Sequence, residues 1–155
     1  MSDPDVLSIN LGSVQSTTIR DLNSFPAHCG SLPALRTFSP EFQVFEVTGR
    51  IIVARLEDDR DYHVALEDPA DNSFTIITEI PDPQCDGAST SPYRATLAQV
   101  RAAFDAFVGG RSLSSVVGTT VRVRGVGFYD FNHGQTGRSQ SCLELHAVVS
   151  FEVIQ

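Results

Sequence analysis

Three strand-like segments, one helical segment and two further strand-like segments follow one another along this chain. That order predicts a mainly β protein, a five-stranded OB-fold-like barrel with one α-helix between its third and fourth strands. The strand segments alternate apolar and polar residues, whereas the helical one repeats its apolar residues every three or four. A β-sandwich would leave this single helix without a place. The sequence shows no internal repeat and no low-complexity tract. It divides into an N-terminal extension with a short helix, residues 1–40, and a barrel, residues 41–155.

Residues 1–16 are polar without a clear period and read as a loose arm. Thr17 to Phe25 predicts a short helix, with Thr18 as its cap, Asp21 completing a capping-box pattern, and Pro26 ending it. Ala27 to Pro40 mixes Gly, Ser and Pro and reads as an irregular connection. Glu41 to Leu56 is the first strand, with Gly49 a natural place for a bulge or coil. A charged turn, Glu57 to Arg60, leads into the second strand, where Tyr62, Val64 and Leu66 face one way and Asp61, His63 and Ala65 the other. After the turn at Asp68 to Asn72, the third strand sets Phe74, Ile76, Thr78 and Ile80 against Thr75, Ile77 and Glu79.

Ser91-Pro92 suits the opening of the helix, since proline fits the first helical position. Leu97, Val100, Ala103, Phe104, Phe107 and Val108 form its apolar face, and Gly109-Gly110 stops it. Thr119 to Phe128 is the fourth strand and Leu143 to Ile154 the fifth. The fifth sets Leu143, Leu145, Ala147, Val149, Phe151 and Val153 against Cys142, Glu144, His146, Val148, Ser150 and Glu152.

Eleven basic groups against 19 acidic ones give a net charge of −8, which repels phosphate backbones and disfavours broad nucleic-acid binding. All the basic residues are Arg. No apolar run approaches the ~18 residues of a membrane span. The acidic start, Met1 to Asp5, lacks the basic region and apolar stretch of a secretory signal, so a cytoplasmic chain is expected. Cys29, Cys85 and Cys142 lie far apart with no C-x-x-C spacing, and are expected as buried or incidental free thiols.

The sharpest candidate site combines Asp61 and His63 on the second strand with Glu144 and His146 on the fifth. Each pair is spaced i, i+2 and so shares one face of its strand. Glu79 on the third strand can fall between them. Two imidazoles and two or three carboxylates suit a divalent metal such as zinc, manganese or iron. The other reading is a solvent-facing polar surface with the histidines bonded to their neighbours. A second candidate is His133, in the turn-forming run Asp130-Phe131-Asn132-His133-Gly134-Gln135-Thr136-Gly137. There it serves either as an acid, base or ligand, or as a brace that fixes the loop. Arg122 and Arg124 are expected to pair with acidic side chains such as Glu46.

Glu57 to Val64, Glu79 to Cys85, Gly125 to Gly137 and Leu143-Glu144-Leu145-His146 together resemble a family of bacterial proteins with an OB-like pattern, some loosely labelled nuclease-like. Thr17 to Pro26 is similar to its upstream segment. The resemblance spans most of residues 41–155 and implies a fold without an activity. Arg138 to Cys142 departs from the family pattern, and Ala147 stands where it has proline. A nuclease reading calls on Asp58, Asp59 and Asp61 for a cation and Arg55 or Arg60 for a phosphoryl group. The reading adopted is a binding module for a protein or small polar ligand, contacted through strands two and three and the 130–141 loop. The alternative is a metal-dependent hydrolase or phosphodiesterase of nuclease-like type.

Overall fold

The computed structural model describes residues 3–155. Its strands are β1 (Val14–Ser16), β2 (Val44–Leu56), β3 (Tyr62–Glu67), β4 (Thr75–Ile80), β5 (Thr120–Tyr129) and β6 (Leu143–Val153). Two α-helices, α1 (Ile19–Asn23) and α2 (Arg94–Val108), accompany them. β2 to β6 close a five-stranded barrel in the order β2-β3-β4-β6-β5, with β5 returning to β2. Within the barrel all pairings are antiparallel except a short parallel closure, Thr78 opposite Leu145 and Glu79 opposite His146. This is the OB-fold connectivity, with α2 between the third and fourth barrel strands as the sequence predicts.

The alternation in β3 and β4 decides which face is core. Val64, Leu66, Ile76 and Ile80 point inward and are fully buried, with Tyr62 packed against them. α2 plugs one end of the barrel through Leu97, Val100, Phe104 and Val108, where the Phe104 ring meets Tyr62 and Phe151. Ala103 lies outside this face and is exposed. The helix begins at Arg94 and not at Pro92, because the 81–93 connection turns once more before the axis starts. Arg101 then stacks 3.8 Å over Tyr62, whose hydroxyl donates to Asp105 Oδ1.

Several expectations are corrected. The arm is not loose: Val14–Ser16 pairs in parallel with Val44–Glu46, and Ile9 is buried. The register of β2 runs regularly through Gly49 and breaks at Ile51/Val53, while Gly49 receives the Ile19 side chain. In β6 the alternation fails midway: Leu143, Leu145 and Val148 are buried while Ala147 and Val149 are half-buried. Two irregularities against β5, at Arg124/Gly125 and Gly125/Gly127, shift the phase. Strand β6 presses closely there, since a Cβ on Gly125 would lie 2.6 Å from Leu145 Cβ.

The thiol expectation is also overturned. Cys29 and Cys142 form a disulfide across 113 residues of sequence, leaving Cys85 as the free thiol. Folding of the extension along the barrel brings the two together, which spacing alone does not reveal. α1 does form as expected, with Thr18 Oγ1 accepting from the Asp21 N–H. Ile19 and Leu22 are fully buried in the core, where α1 packs against β2 and β4.

Candidate functional site

The outer surface of β3, β4 and β6 carries a lateral row of charged side chains. Arg55 lies opposite His63, His63 opposite Glu79, and Glu79 opposite His146. The alternation that sends Val64 and Leu66 inward sends His63 and Glu79 outward, and the barrel closure brings β6 beside them. Glu79 thus falls between the two histidine-bearing strands, as the sequence suggested. Asp61 borders the row just before β3, accepting a hydrogen bond from the Asp82 N–H at 2.8 Å.

Although His63 faces outward from the barrel, it is buried, with 3% of its surface exposed. The 130–142 connection between β5 and β6 folds over it. Its Nδ1 lies 2.7 Å from Glu79 Oε1 and its Nε2 3.0 Å from the Thr136 carbonyl. A carbonyl can only accept, and a carboxylate accepts when ionised. With Glu79 ionised, both ring nitrogens donate and His63 carries a positive charge. Burial favours the neutral ring, but the bonds to Glu79 and Thr136 outweigh it and raise the pKa above that of a free histidine. Burial likewise pushes the Glu79 carboxyl up, against the pull of His63.

His146 is more open, with 38% of its side chain exposed, and its Nδ1 lies 3.4 Å from Glu144 Oε1. Partial burial opposes its charge, yet Glu144, with the fields of Glu79 and Asp61, pushes it up to about 9. The Phe128 ring packs edge-on against it at 5.6 Å. Asp61 is raised chiefly by burial, then by the charge of Asp59. The four predicted residues and Glu79 thus share one electrostatic neighbourhood.

The donor set fits a metal poorly as it stands. Among the described residues, no three His, Cys, Asp or Glu side chains are arranged to hold a metal ion. His63 has no lone pair to give while both its nitrogens donate. The nuclease candidates are also engaged in bracing: Arg55 pairs with Glu57 at 2.6 Å, Arg60 with Asp82 at 2.9 Å, and Asp59 accepts from the Asp61 N–H. On the opposite side of the barrel, Arg124 pairs with Glu46 at 2.6 Å and Arg122 with Glu152 at 3.4 Å.

His133 stands apart from the row. Its Nε2 meets Asp130 Oδ2 at 3.0 Å and its backbone N–H donates to Gln135 Oε1. Gln135 in turn donates to Asp130 and to the Phe131 carbonyl. This network holds Phe131 and His133 outward with their rings 4.9 Å apart, and Phe131 is 54% exposed. The loop reaches the barrel because Gly137, at φ +85, rests on Ala65, where any side chain would overlap. Thr75 Oγ1 donates to the Arg138 carbonyl, and Ser141 Oγ to the Leu22 carbonyl. The bond from His63 to the Thr136 carbonyl and that from Thr75 to the Arg138 carbonyl leave no mark in the residue pattern. A glycine facing a small strand residue is the one signal that could have flagged the close approach.

No family model matches the chain, and no curated protein matches it. Among solved structures, it is similar to an OBody bound to hen egg-white lysozyme, at 9% identity and a TM-score of 0.47, over 81% of this chain and 98% of that one. No helix among the described residues is long and apolar enough to cross a membrane.

Proposed function

We propose that this chain is a binding module for a protein or small polar ligand, contacted through the 130–141 loop and the adjoining charged row. One observation carries the reading. Phe131 and His133 are held outward on a loop whose polar groups are bonded among themselves and to His63. An exposed aromatic on a braced loop loses little conformational entropy on binding, and such pre-organisation favours recognition. Half-exposed His146, in the charged row, supplies a further polar contact.

The alternative, a metal-dependent hydrolase on Asp61, His63, Glu144 and His146, requires His63 to give up Glu79 or Thr136 before it can ligate. The acidic surface agrees with a partner other than nucleic acid. Affinity capture with the wild-type chain and with a Phe131→Ala/His133→Ala variant tests the binding reading. A partner retained by wild type and lost by the variant is expected. Equal capture by both, or capture by neither, removes the reading. Stoichiometric zinc or manganese in protein purified without chelator, lost on His63→Ala, would favour the hydrolase instead.

A further inference from the structure

The disulfide joins two loops that belong to different parts of the chain, and its two sulfurs sit in unlike surroundings. Cys29 is half-buried at the surface, whereas Cys142 is 2% exposed. Arg138 Nη1 lies 3.0 Å from Cys142 Sγ and 3.8 Å from Cys29 Sγ, and it also donates to the Ser139 carbonyl. A guanidinium against a sulfur stabilises the thiolate form, and a stabilised thiolate is a better leaving group in thiol–disulfide exchange. The accessible sulfur is thus the one open to attack, and the sealed one is the better departing group.

We propose that Cys29–Cys142 is a thiol-exchange site for low-molecular-weight thiols, with Arg138 as the positioning residue that holds the departing thiolate. The incoming thiolate attacks Cys29 Sγ, a new S–S bond forms there, and the Cys29–Cys142 bond breaks. Its electron pair goes to Cys142 Sγ, facing Arg138. A second thiolate then attacks the mixed disulfide, leaving Cys29 as a thiol after protonation by water. Two small thiols are oxidised to their disulfide as the protein's pair is reduced.

Reduction has a structural consequence. Cys29 O accepts the Asn132 N–H, so the disulfide anchors the segment that holds the exposed loop tip. Freed from Cys142, residues 28–33 and 131–137 share that backbone bond without the covalent tie beneath it. This proposal stands independently of the binding reading, since it concerns covalent chemistry at sulfur.

The test uses the oxidised full-length chain with reduced glutathione as the probe, quenched at intervals by iodoacetamide and mapped by peptide mass spectrometry. The glutathione adduct is expected on Cys29 and the carbamidomethyl group on Cys142. Arg138→Gln should slow the first step by about three-fold or more, with Arg138→Lys restoring most of the rate. Amide hydrogen exchange in 28–33 and 131–137 should rise on reduction. An adduct on Cys142, a rate unchanged in both Arg138 variants, or the absence of the disulfide in aerobically purified protein would each overturn the proposal.

Discussion

Replacing His63 with alanine removes a buried cation that joins the barrel wall to its covering loop. The ring donates to Glu79, whose side chain is 12% exposed, and to the Thr136 carbonyl on an exposed residue. A hydrogen bond to a charged group contributes about 1.5–3 kcal/mol, and one between neutral groups about 0.5–1.5 kcal/mol. Thr136 regains water once the ring is gone, so its share falls at the low end. Glu79 can relieve part of its loss by taking a proton, since burial already holds its pKa high. A net cost of about 3 kcal/mol follows. For a chain of this size that lowers Tm by about 6–12 °C. Urea unfolding at pH 7 followed by circular dichroism, with calorimetry for Tm, measures both. The cycle with Glu79→Gln should show a coupling of at least about 1 kcal/mol. A single-variant loss below about 1 kcal/mol, or additive losses in the cycle, would refute the doubly bonded imidazolium.

Three further outcomes are expected. His63 and His146 have folded pKa values above the unfolded ~6.5, so their contribution is whole below that pH and is lost as pH rises through the folded values, about 9 for His146. The urea midpoint should therefore fall between pH 6.5 and 9.5, and His146→Gln should flatten the fall only partly, because solvent screens its half-exposed ring. Asp61 and Glu79, also raised, contribute a separate loss that begins near the ordinary carboxylate value of about 4. Gly137→Ala should cost about 1–3 kcal/mol in the same urea assay, through its positive φ and its overlap with Ala65. Phe104→Ala, which empties the plug at the barrel end, should cost about 3–5 kcal/mol, and a loss under 1 kcal/mol would contradict the packing of α2.

The barrel was readable because β3 and β4 alternate without interruption, so Tyr62, Val64 and Leu66 could be assigned inward from sequence alone. The same alternation put His63 and Glu79 on one outer face and allowed Glu79 to be placed between the histidine-bearing strands. β6 was harder, because its two irregularities against β5 reverse the inward face after Leu145, and a simple period of two misassigns Ala147 and Val148. The disulfide depends on the extension packing alongside the barrel, which is long-range information that cysteine spacing does not carry. The burial of His63 was hidden for a related reason. Its partner is the backbone carbonyl of Thr136, seventy-three residues away, and a carbonyl leaves no mark in the residue pattern. His133 was visible as a loop residue, but its bond to Asp130 rather than to the row follows from local turn geometry.

Ring nitrogen spectroscopy on protein labelled with 15N-histidine tests the central claim most directly, with His63→Gln to assign the signals. At pH 7 both His63 nitrogens should appear protonated and remain so after zinc is added. A His63 ring with one bare nitrogen, or one whose signals move with stoichiometric zinc, would contradict it.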